Sequence, residues 1–222
     1  MEQLRQQVLK AALPHVPFDG WSETTLNMAI SDAGVDETLA KAAFPGGAVD
    51  LALAYHQAGD AQMVERLAAA DLSEMRFRDR IAFAIRTRLE LVEDKELVRR
   101  GTTLFSLPQN AGKGAGAIWG TCDKIWTTLG DTSDDANWYS KRATLSAVYS
   151  AVVLYWLGDD SQDNAASWEF LDRRIDNVMQ FEKLKASTAF KPVKALTGRL
   201  FAGVKAPDQC RRTDLPGQIT TE

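Results

Sequence analysis

The sequence predicts an all-α protein of about nine to ten helices, and three observations support this fold class. Apolar residues recur at helical spacing almost throughout the 222 residues, and no segment shows a convincing strand pattern. Prolines and glycines interrupt this periodicity at the ends of the predicted helices. The composition, with 45% hydrophobic and 25% charged residues, is that of an average folded protein that can bury a sizeable core.

The N-terminal sixty residues contain four predicted helices, each bounded by a breaker or a capping residue. Ser22 is the clearest cap, because a serine hydroxyl at this position can accept a hydrogen bond from the first helical turn. Gly34 ends the helix that Ser22 begins, and a Phe-Pro-Gly-Gly sequence at residues 44–47 separates the third helix from the fourth. These helices are expected over residues 2–12, 23–33, 36–43 and 48–58.

Six further helices are predicted in the rest of the chain. The first of them, which Ser73 can cap, carries an apolar stripe at spacing four, formed by Phe77, Ile81, Ile85 and Leu89. The glycine-rich segment before Ile118 is interpreted as a flexible join, and the polar tail from residue 206 is expected to be disordered. The six helices are expected over residues 73–93, 94–107, 118–129, 138–157, 167–180 and 192–204.

Composition excludes several classes of protein. Two histidines and two cysteines are too few for a disulfide framework and disfavour a His/Cys metal cluster. The N-terminus lacks a signal-peptide pattern, and no apolar run approaches 18 residues, which predicts a cytoplasmic protein without a membrane-spanning helix. No Gly-x-Ser-x-Gly elbow is present, and the glycine-rich segment lacks the order of a phosphate-binding loop. No catalytic residue, metal or cofactor is therefore predicted.

The histidines and cysteines are assigned structural positions. His15 and His56 each precede an aspartate by four residues, but the intervening Pro17 and Gly59 are expected to keep both pairs off a shared helical face. Cys122 is expected to be a small buried apolar residue, and Cys210 a thiol of the tail.

The net charge of −4 is unevenly distributed. Three basic and eight acidic residues give residues 1–60 a net charge of −5, whereas six basic residues and one acidic residue give residues 181–205 a net charge of +5. The overall balance disfavours a globally basic nucleic-acid binder. The asymmetry predicts different partners for the two ends of the chain.

The predicted helices over 23–33 and 36–43, joined by a glycine, have the layout of a helix-turn-helix. With Gly20-Trp21-Ser22, Ala33-Gly34-Val35 and Phe44-Pro45, this layout resembles the N-terminal domain of TetR-type regulators, which precedes a larger helical ligand-binding domain. A ligand-responsive transcriptional regulator is therefore one candidate function. The second helix, however, begins with two acids and carries one base, which disfavours phosphate contacts and favours a packing role.

Residues 192–204 form a predicted amphipathic helix with a basic polar face. Its apolar residues fall within an arc of ~140°, and its basic residues lie outside that arc. Such helices bind the surface of anionic membranes, with a solvated core helix and a partner-binding helix as the alternatives. The predicted membrane-binding residues are Lys191, Val193, Lys194, Leu196, Arg199, Leu200, Phe201 and Val204.

An acidic loop over residues 130–137 leads into a Trp-Tyr pair that is followed by an arginine at helical spacing. Trp138 and Arg142 are i,i+4 neighbours, and Tyr139 and Arg142 are i,i+3 neighbours. An exposed cluster of these three side chains with Asp135 is typical of a protein-binding site. In the alternative, Trp138 anchors the core, Asp135 caps the helix and Arg142 is solvated.

This region also resembles a family of accessory proteins of ubiquinone (coenzyme Q) biosynthesis. The resemblance covers roughly residues 1–205, and its matching pieces are Trp21–Gly47, Trp119, Trp126, Gly130-Asp131, Asp135, Trp138-Tyr139, Arg142, Tyr149, Trp168, Phe170-Leu171 and Arg174-Ile175. It implies a TetR-like homodimer that binds isoprenoid lipid or a ubiquinone precursor, does not bind DNA and is not an enzyme.

The same resemblance implies partners for the two surface elements. It places the di-iron hydroxylase of demethoxyubiquinone on the patch formed by Asp135, Trp138, Tyr139 and Arg142, and it gives the C-terminal amphipathic helix the membrane surface. Mitochondrial members carry a targeting extension that is not evident here. A bacterial member in the cytoplasm, peripheral to the inner membrane, is therefore expected.

A domain division follows from these interpretations. It comprises a helix-turn-helix-like domain (1–47), a helical lipid-binding domain (48–180), a basic amphipathic helix (181–205) and a tail (206–222). The lipid cavity is expected between the helices over 73–93, 115–129 and 138–157. Its candidate lining residues, each of which can alternatively be plain core, are Phe77, Ile81, Ile85, Trp126, Leu145 and Tyr149.

Overall fold

The computed structural model describes residues 1–186 and 204–207, and this part of the chain is all-helical and contains no β-strand. The predicted fold class is therefore confirmed. The helices are α1 (Glu2–Ala12), α2 (Val16–Asp19), α3 (Glu23–Ala33), α4 (Glu37–Ala43), α5 (Ala48–Ala69), α6 (Phe77–Glu90), α7 (Lys95–Ser106), α8 (Ala111–Thr128), α9 (Ala136–Leu157) and α10 (Ala165–Ala186), with a 3₁₀ turn at Gln162–Asn164.

The N-terminal helices α1, α3 and α4 pack around a small apolar core. Ser22 caps α3 as predicted, since its Oγ accepts a hydrogen bond from the Thr25 N–H at 3.1 Å. Gly34 has φ 61° and ends α3 in the left-handed conformation that permits the turn into α4. The core includes Val8, Ala12, Leu26, Ala29, Ile30, Ala40 and Phe44.

Trp21 joins this N-terminal unit to the rest of the molecule. Its indole N–H donates to the Leu97 carbonyl at the start of α7 at 2.9 Å, and its ring lies 5.3 Å from that of Tyr55 on α5. The indole is buried, so both its apolar area and its polar tip contribute to this junction.

The larger unit packs α5, α6, α8, α9 and α10 around a second apolar core. Full burial of each Leu or Ile side chain contributes roughly 1.5–3 kcal/mol, so this core stabilises the fold substantially. Its buried members include Met63, Ala84, Ile85, Leu89, Cys122, Ile125, Val152, Trp156 and Leu171. Cys122 is thus the buried apolar residue that was predicted, and burial raises the pKa of its thiol to about 12.

Helix α5 continues to Ala69, well beyond the predicted end near residue 58, because Gly59 lies inside the helix. A Cβ at Gly59 would lie 2.7 Å from the guanidinium carbon of Arg88, so this glycine permits a close approach of α6. His56 and Asp60 consequently share a helical face at 3.7 Å, and the prediction that they do not is wrong. His15 instead contacts Asp32 at 2.7 Å.

The glycine-rich segment is also helical, since α8 begins at Ala111. Its interpretation as a flexible join is wrong, but its small residues do allow close packing: a Cβ at Gly114 would lie 2.7 Å from the Cβ of Phe105. Helix α6 begins at Phe77 rather than after Ser73, whose N–H is bonded to the Asp71 carboxylate.

Helix α10 starts and ends outside its predicted bounds of 167–180. The predicted helix over 192–204 lies outside the described residues except at its last position, and so do residues 208–222 of the predicted tail. Residues 204–207 contact the body of the protein, where the Ala206 N–H donates to the Asp134 carbonyl at 3.0 Å and Ala206 is buried.

Candidate functional site

A cavity of about 560 Å³ lies between α6, α8, α9 and α10 and is called the first cavity below. This volume is within the range of small-molecule pockets. Its apolar walls are formed by Phe77, Ile81, Trp126, Leu145, Val148, Ile175, Val178 and Met179. The rings of Phe77 and Trp126 stack with centroids 5.3 Å apart.

The structure brings together four of the six predicted lipid-binding residues on this cavity: Phe77, Ile81, Trp126 and Leu145. Ile85 is fully buried in the core, where its plain packing alternative holds. Tyr149, one helical turn after Leu145 on α9, lines a different cavity. The contribution of α10 was not predicted, although Ile175, Val178 and Met179 recur at helical spacing.

One rim of the first cavity is polar and charged. Lys141 donates to the Asp131 carboxylate at 2.7 Å and to the Ser133 hydroxyl at 2.6 Å, and its ammonium lies 5.1 Å from the Trp126 ring. Asn137 and Ser140 also line this rim. The cavity therefore combines apolar walls with an edge that can hold a polar head group.

Arg142 lies directly behind this rim in a buried ion-pair network. Its Nη1 donates to Asp131 at 2.9 Å, its Nε donates to Asp123 at 2.5 Å, and Nη1 also donates to the Trp138 carbonyl. Burial raises the pKa of Asp131, but the hydrogen bonds from Lys141, Arg142 and Ser133 outweigh burial and hold that pKa at about 2. The sequence analysis did not predict that Asp123 and Asp131 pair with Arg142, because neither aspartate is three or four residues from it.

The surface next to this network carries three aromatic rings, from Trp119 on α8 and from Trp138 and Tyr139 on α9. We call these residues the aromatic patch. The Trp138 ring lies 5.9 Å from Trp119 and 4.8 Å from Tyr139, and Tyr139 is exposed. The guanidinium of Arg142 lies 3.9 Å from the Trp138 ring centroid on its inner side.

In the predicted protein-binding cluster, Asp135 and Tyr139 are exposed as expected, whereas Arg142 is buried. Asp135 is exposed and caps α9, with its carboxylate accepting the Asn137 N–H at 2.8 Å. Arg142 is only 2% exposed, so neither a solvated arginine nor one at the protein surface is correct. It supports Trp138 from behind, because a buried guanidinium with two carboxylate partners is fixed in place.

The chain segment 204–207 lies beside the aromatic patch, with the Tyr139 hydroxyl donating to the Lys205 carbonyl at 3.3 Å. Val204, the last predicted membrane-binding residue, is half-buried there. The other seven, Lys191 to Phe201, lie outside the described residues. No helix in the described part of the chain is long and apolar enough to cross a membrane.

Another buried polar cluster centres on Asp60. Its carboxylate accepts hydrogen bonds from Arg88 Nε, the Thr121 hydroxyl and Lys124, each at 2.9 Å, and Thr121 also contacts His56 Nε2 at 2.8 Å. Burial raises the pKa of Asp60, but the surrounding positive charges and hydrogen bonds together lower it below its usual value. Within residues 1–186 and 204–207, no group of three or more His, Cys, Asp or Glu is placed to hold a metal ion.

Helix α4, the second helix of the predicted helix-turn-helix, lacks the charge for phosphate contacts. Asp36 is used as its N-cap, accepting the Leu39 N–H at 2.9 Å, and Lys41 pairs with Glu37 at 2.6 Å. The one cation of this helix is thus partly neutralised, which favours the packing role predicted from the sequence.

The helix order defines an all-helical fold like that of TetR regulators. A solved TetR transcriptional regulator from Nitrosomonas europaea superimposes with a TM-score of 0.63 over 78% of this chain and 97% of that one. At 14% sequence identity, this likeness concerns the fold alone.

Sequence comparisons show a similarity to one family of proteins. Residues 111–182, which include the aromatic patch and much of the first cavity, match the sequence model of the COQ9 family. The chain is 30% identical over 193 residues to the mitochondrial ubiquinone biosynthesis protein COQ9 of Drosophila melanogaster, covering 85% of this chain and 59% of that protein. It is 28% identical to the human COQ9 protein, covering 89% and 65%. The predicted resemblance to this ubiquinone biosynthesis family is therefore confirmed, and the chain spans about three fifths of the length of such relatives.

Proposed function

We propose that this protein is a non-catalytic accessory factor of ubiquinone biosynthesis that binds an isoprenoid quinone precursor and presents its head group to a hydroxylase. The observation that carries the proposal is the position of the first cavity, whose polar rim shares Asp131 with the network behind the aromatic patch. A lipid head group at the rim would thus lie next to a surface suited to a partner protein.

The apolar walls account for the tail of such a lipid. Each buried CH₂ is worth about 0.8 kcal/mol, so a polyprenyl chain leaves a bilayer only if another apolar environment receives it. The wall residues of α6, α8, α9 and α10 supply that environment. Lys141, Asn137 and Ser140 can donate hydrogen bonds to the oxygens of the ring.

The aromatic patch supports the partner half of the proposal. Tyr139 is exposed, and Trp119 and Trp138 are half-buried. Trp and Tyr side chains held on rigid helices dominate many protein interfaces, and they lose little conformational entropy on binding. The family resemblance implies the di-iron hydroxylase of demethoxyubiquinone as the partner. We place Trp138, Tyr139 and Asp135 in that contact and assign Arg142 the role of fixing the Trp138 ring.

The proposal also includes membrane attachment, dimerisation and a cellular location. The basic amphipathic sequence over residues 191–204 would hold the protein to an anionic membrane, where the lipid resides. Two copies would associate as a homodimer, as the resemblance implies. The protein would act at the cytoplasmic side of a bacterial inner membrane.

Lipid extraction followed by mass spectrometry tests the cavity. In the double variant Phe77→Glu, Met179→Glu, two carboxylates replace half-exposed apolar side chains of the cavity wall. The matched control is Met28→Glu, Leu39→Glu, which alters side chains of similar exposure on α3 and α4. We expect isoprenoid lipid from the wild type and the control and at least about five-fold less from the cavity variant.

Two results would contradict the proposal: wild-type protein that never yields isoprenoid lipid, or equal yields from both double variants. A ligand-responsive transcriptional regulator is the alternative that the fold allows. Specific binding to duplex DNA with a steep salt dependence would favour that alternative.

A further inference from the structure

The chain segment over residues 204–207 lies on the surface that carries the proposed partner contact, and we call this segment the strap. Two hydrogen bonds hold it there. The Ala206 N–H donates to the Asp134 carbonyl at 3.0 Å, and the Lys205 carbonyl accepts the Tyr139 hydroxyl at 3.3 Å. The strap therefore contacts both the acidic loop before α9 and a ring of the aromatic patch.

Ala206 is the buried residue of the strap. It is 6% exposed, although its neighbours Lys205 and Pro207 are both exposed. A small side chain that is buried between two exposed neighbours is packed against the body of the protein. Its N–H is also paired with the Asp134 carbonyl, so the contact combines a buried methyl group with a directed backbone hydrogen bond.

A partner protein cannot use the whole of this surface while the strap is in place. The Asp134 carbonyl and the Tyr139 hydroxyl are both bonded to the strap. A hydroxylase that contacts Tyr139 and Asp135, the residue after Asp134, must therefore displace the strap. The strap competes through two hydrogen bonds and one buried methyl group, which together shift a closing equilibrium by a factor of about ten.

We propose that the strap is an autoinhibitory segment, which occupies part of the partner-binding surface and must leave before the hydroxylase binds. This inference rests on the proposed function, because it concerns the same surface and the same partner. It adds a condition to that function, since the surface is covered in the protein free in solution.

The membrane supplies the signal for release through Val204. This residue is half-buried in the strap, and it is also the last apolar residue of the predicted membrane-binding helix. A side chain that is inserted into lipid cannot also pack against the protein, so membrane binding of residues 191–204 pulls the strap away. The partner surface is then open only in protein that has reached the membrane, where the proposed lipid ligand lies.

Ala206→Glu tests the strap, and Pro207→Glu is its matched control. Both substitutions add one negative charge next to the acidic loop, but only the first adds it at a buried position. Neither residue belongs to an apolar core of the protein, so both variants should unfold at the same urea concentration as the wild type.

Hydroxyl-radical labelling, mapped by mass spectrometry, measures the exposure of Tyr139 in the full-length chain without any partner. We expect Ala206→Glu to raise the labelling of Tyr139 about two-fold over the wild type and Pro207→Glu to leave it unchanged. Vesicles of phosphatidylcholine and phosphatidylglycerol in equal amounts should raise the labelling of wild-type Tyr139 to the level of Ala206→Glu. Vesicles of phosphatidylcholine alone should not, because they lack the anionic head groups that attract the basic segment.

Isothermal titration with the purified di-iron hydroxylase, without vesicles, measures the competition itself. We expect Ala206→Glu to bind about ten-fold more tightly than the wild type and Pro207→Glu to stay within about two-fold of it. Equal or weaker binding by Ala206→Glu would overturn the proposal, because the strap would then not compete with the partner.

Two labelling results would also overturn it. They are equal labelling of Tyr139 in the wild type and Ala206→Glu, or a decrease on anionic vesicles, which would mean that the patch faces the membrane. If the hydroxylase binds none of the three proteins, the proposed partner is wrong, and the labelling alone decides whether the strap covers the patch.

Discussion

Asp131→Asn tests the ion-pair network that joins the first cavity to the aromatic patch. The substitution keeps the size of the side chain and removes the negative charge that faces Lys141 at 2.7 Å and Arg142 at 2.9 Å. The Asp131 side chain is 2% exposed, so solvent screens these pairs poorly. Arg142 keeps Asp123, and Lys141 keeps the Ser133 hydroxyl.

The magnitude follows from the pKa of Asp131, which the fold lowers from 3.8 to about 2. At 1.36 kcal/mol per unit, the charged form adds about 2 kcal/mol to the free energy of unfolding at neutral pH. Because the folded pKa is below the unfolded one, this contribution is complete above about pH 5 and is lost as the pH falls toward 2. At pH 3 about half of it should remain.

Urea denaturation followed by tryptophan fluorescence at pH 7 and pH 3 measures this effect. We expect Asp131→Asn to lower the free energy of unfolding by about 2 kcal/mol at pH 7 and by about half as much at pH 3. Asp134→Asn, on the same loop but exposed, should change it by less than about 0.5 kcal/mol. A loss of equal size at both pH values would refute the argument from charge, and no loss at pH 7 would refute the network itself.

Two further predictions concern local packing and capping. Gly114→Ala should lower the free energy of unfolding by about 1–3 kcal/mol, since its Cβ would lie 2.7 Å from Phe105. Gly116→Ala on the same helix meets no atom within 4 Å and should raise it by up to about 1 kcal/mol, and thermal denaturation compares the two. Asp159→Ala should cost about 1–3 kcal/mol at pH 7 in urea denaturation, because it removes acceptors for the Ser167 N–H and hydroxyl. An unchanged midpoint for Asp159→Ala, or equal effects of the two glycine substitutions, would contradict these expectations.

Features encoded by neighbouring residues were predictable from the sequence. The bounds of α1 and α3 agree with prediction, because caps and breakers act within one helical turn. Asp135 at the start of α9 follows the same logic. The apolar stripe of α6 correctly indicated a buried face, since helical periodicity reports which side of a helix meets the core.

Features that depend on distant residues were not predictable in this way. In the sequence, Gly59 and Gly114 suggest breaks in a helix. In the structure, Gly59 permits close contact with Arg88, and Gly114 permits close contact with Phe105. A helix wheel separates buried from exposed positions without assigning them to a cavity. Ile85 and Tyr149 therefore appeared equivalent to Leu145, although Ile85 is core and Tyr149 lines a separate cavity between α5, α6, α7, α8 and α9.

The position of Arg142 affects how a mutational scan of the aromatic patch would be interpreted. An alanine scan measures the total cost of truncation, including any rearrangement of the free protein. Arg142→Ala would remove the cation 3.9 Å from the Trp138 ring and leave Asp131 with Lys141 as its remaining cationic partner. It would therefore score as a hot spot without touching any partner. A double-mutant cycle of Arg142→Ala with Trp138→Ala distinguishes direct contact with a partner from an effect through Trp138. Strong coupling between the two substitutions means that Arg142 acts through the indole.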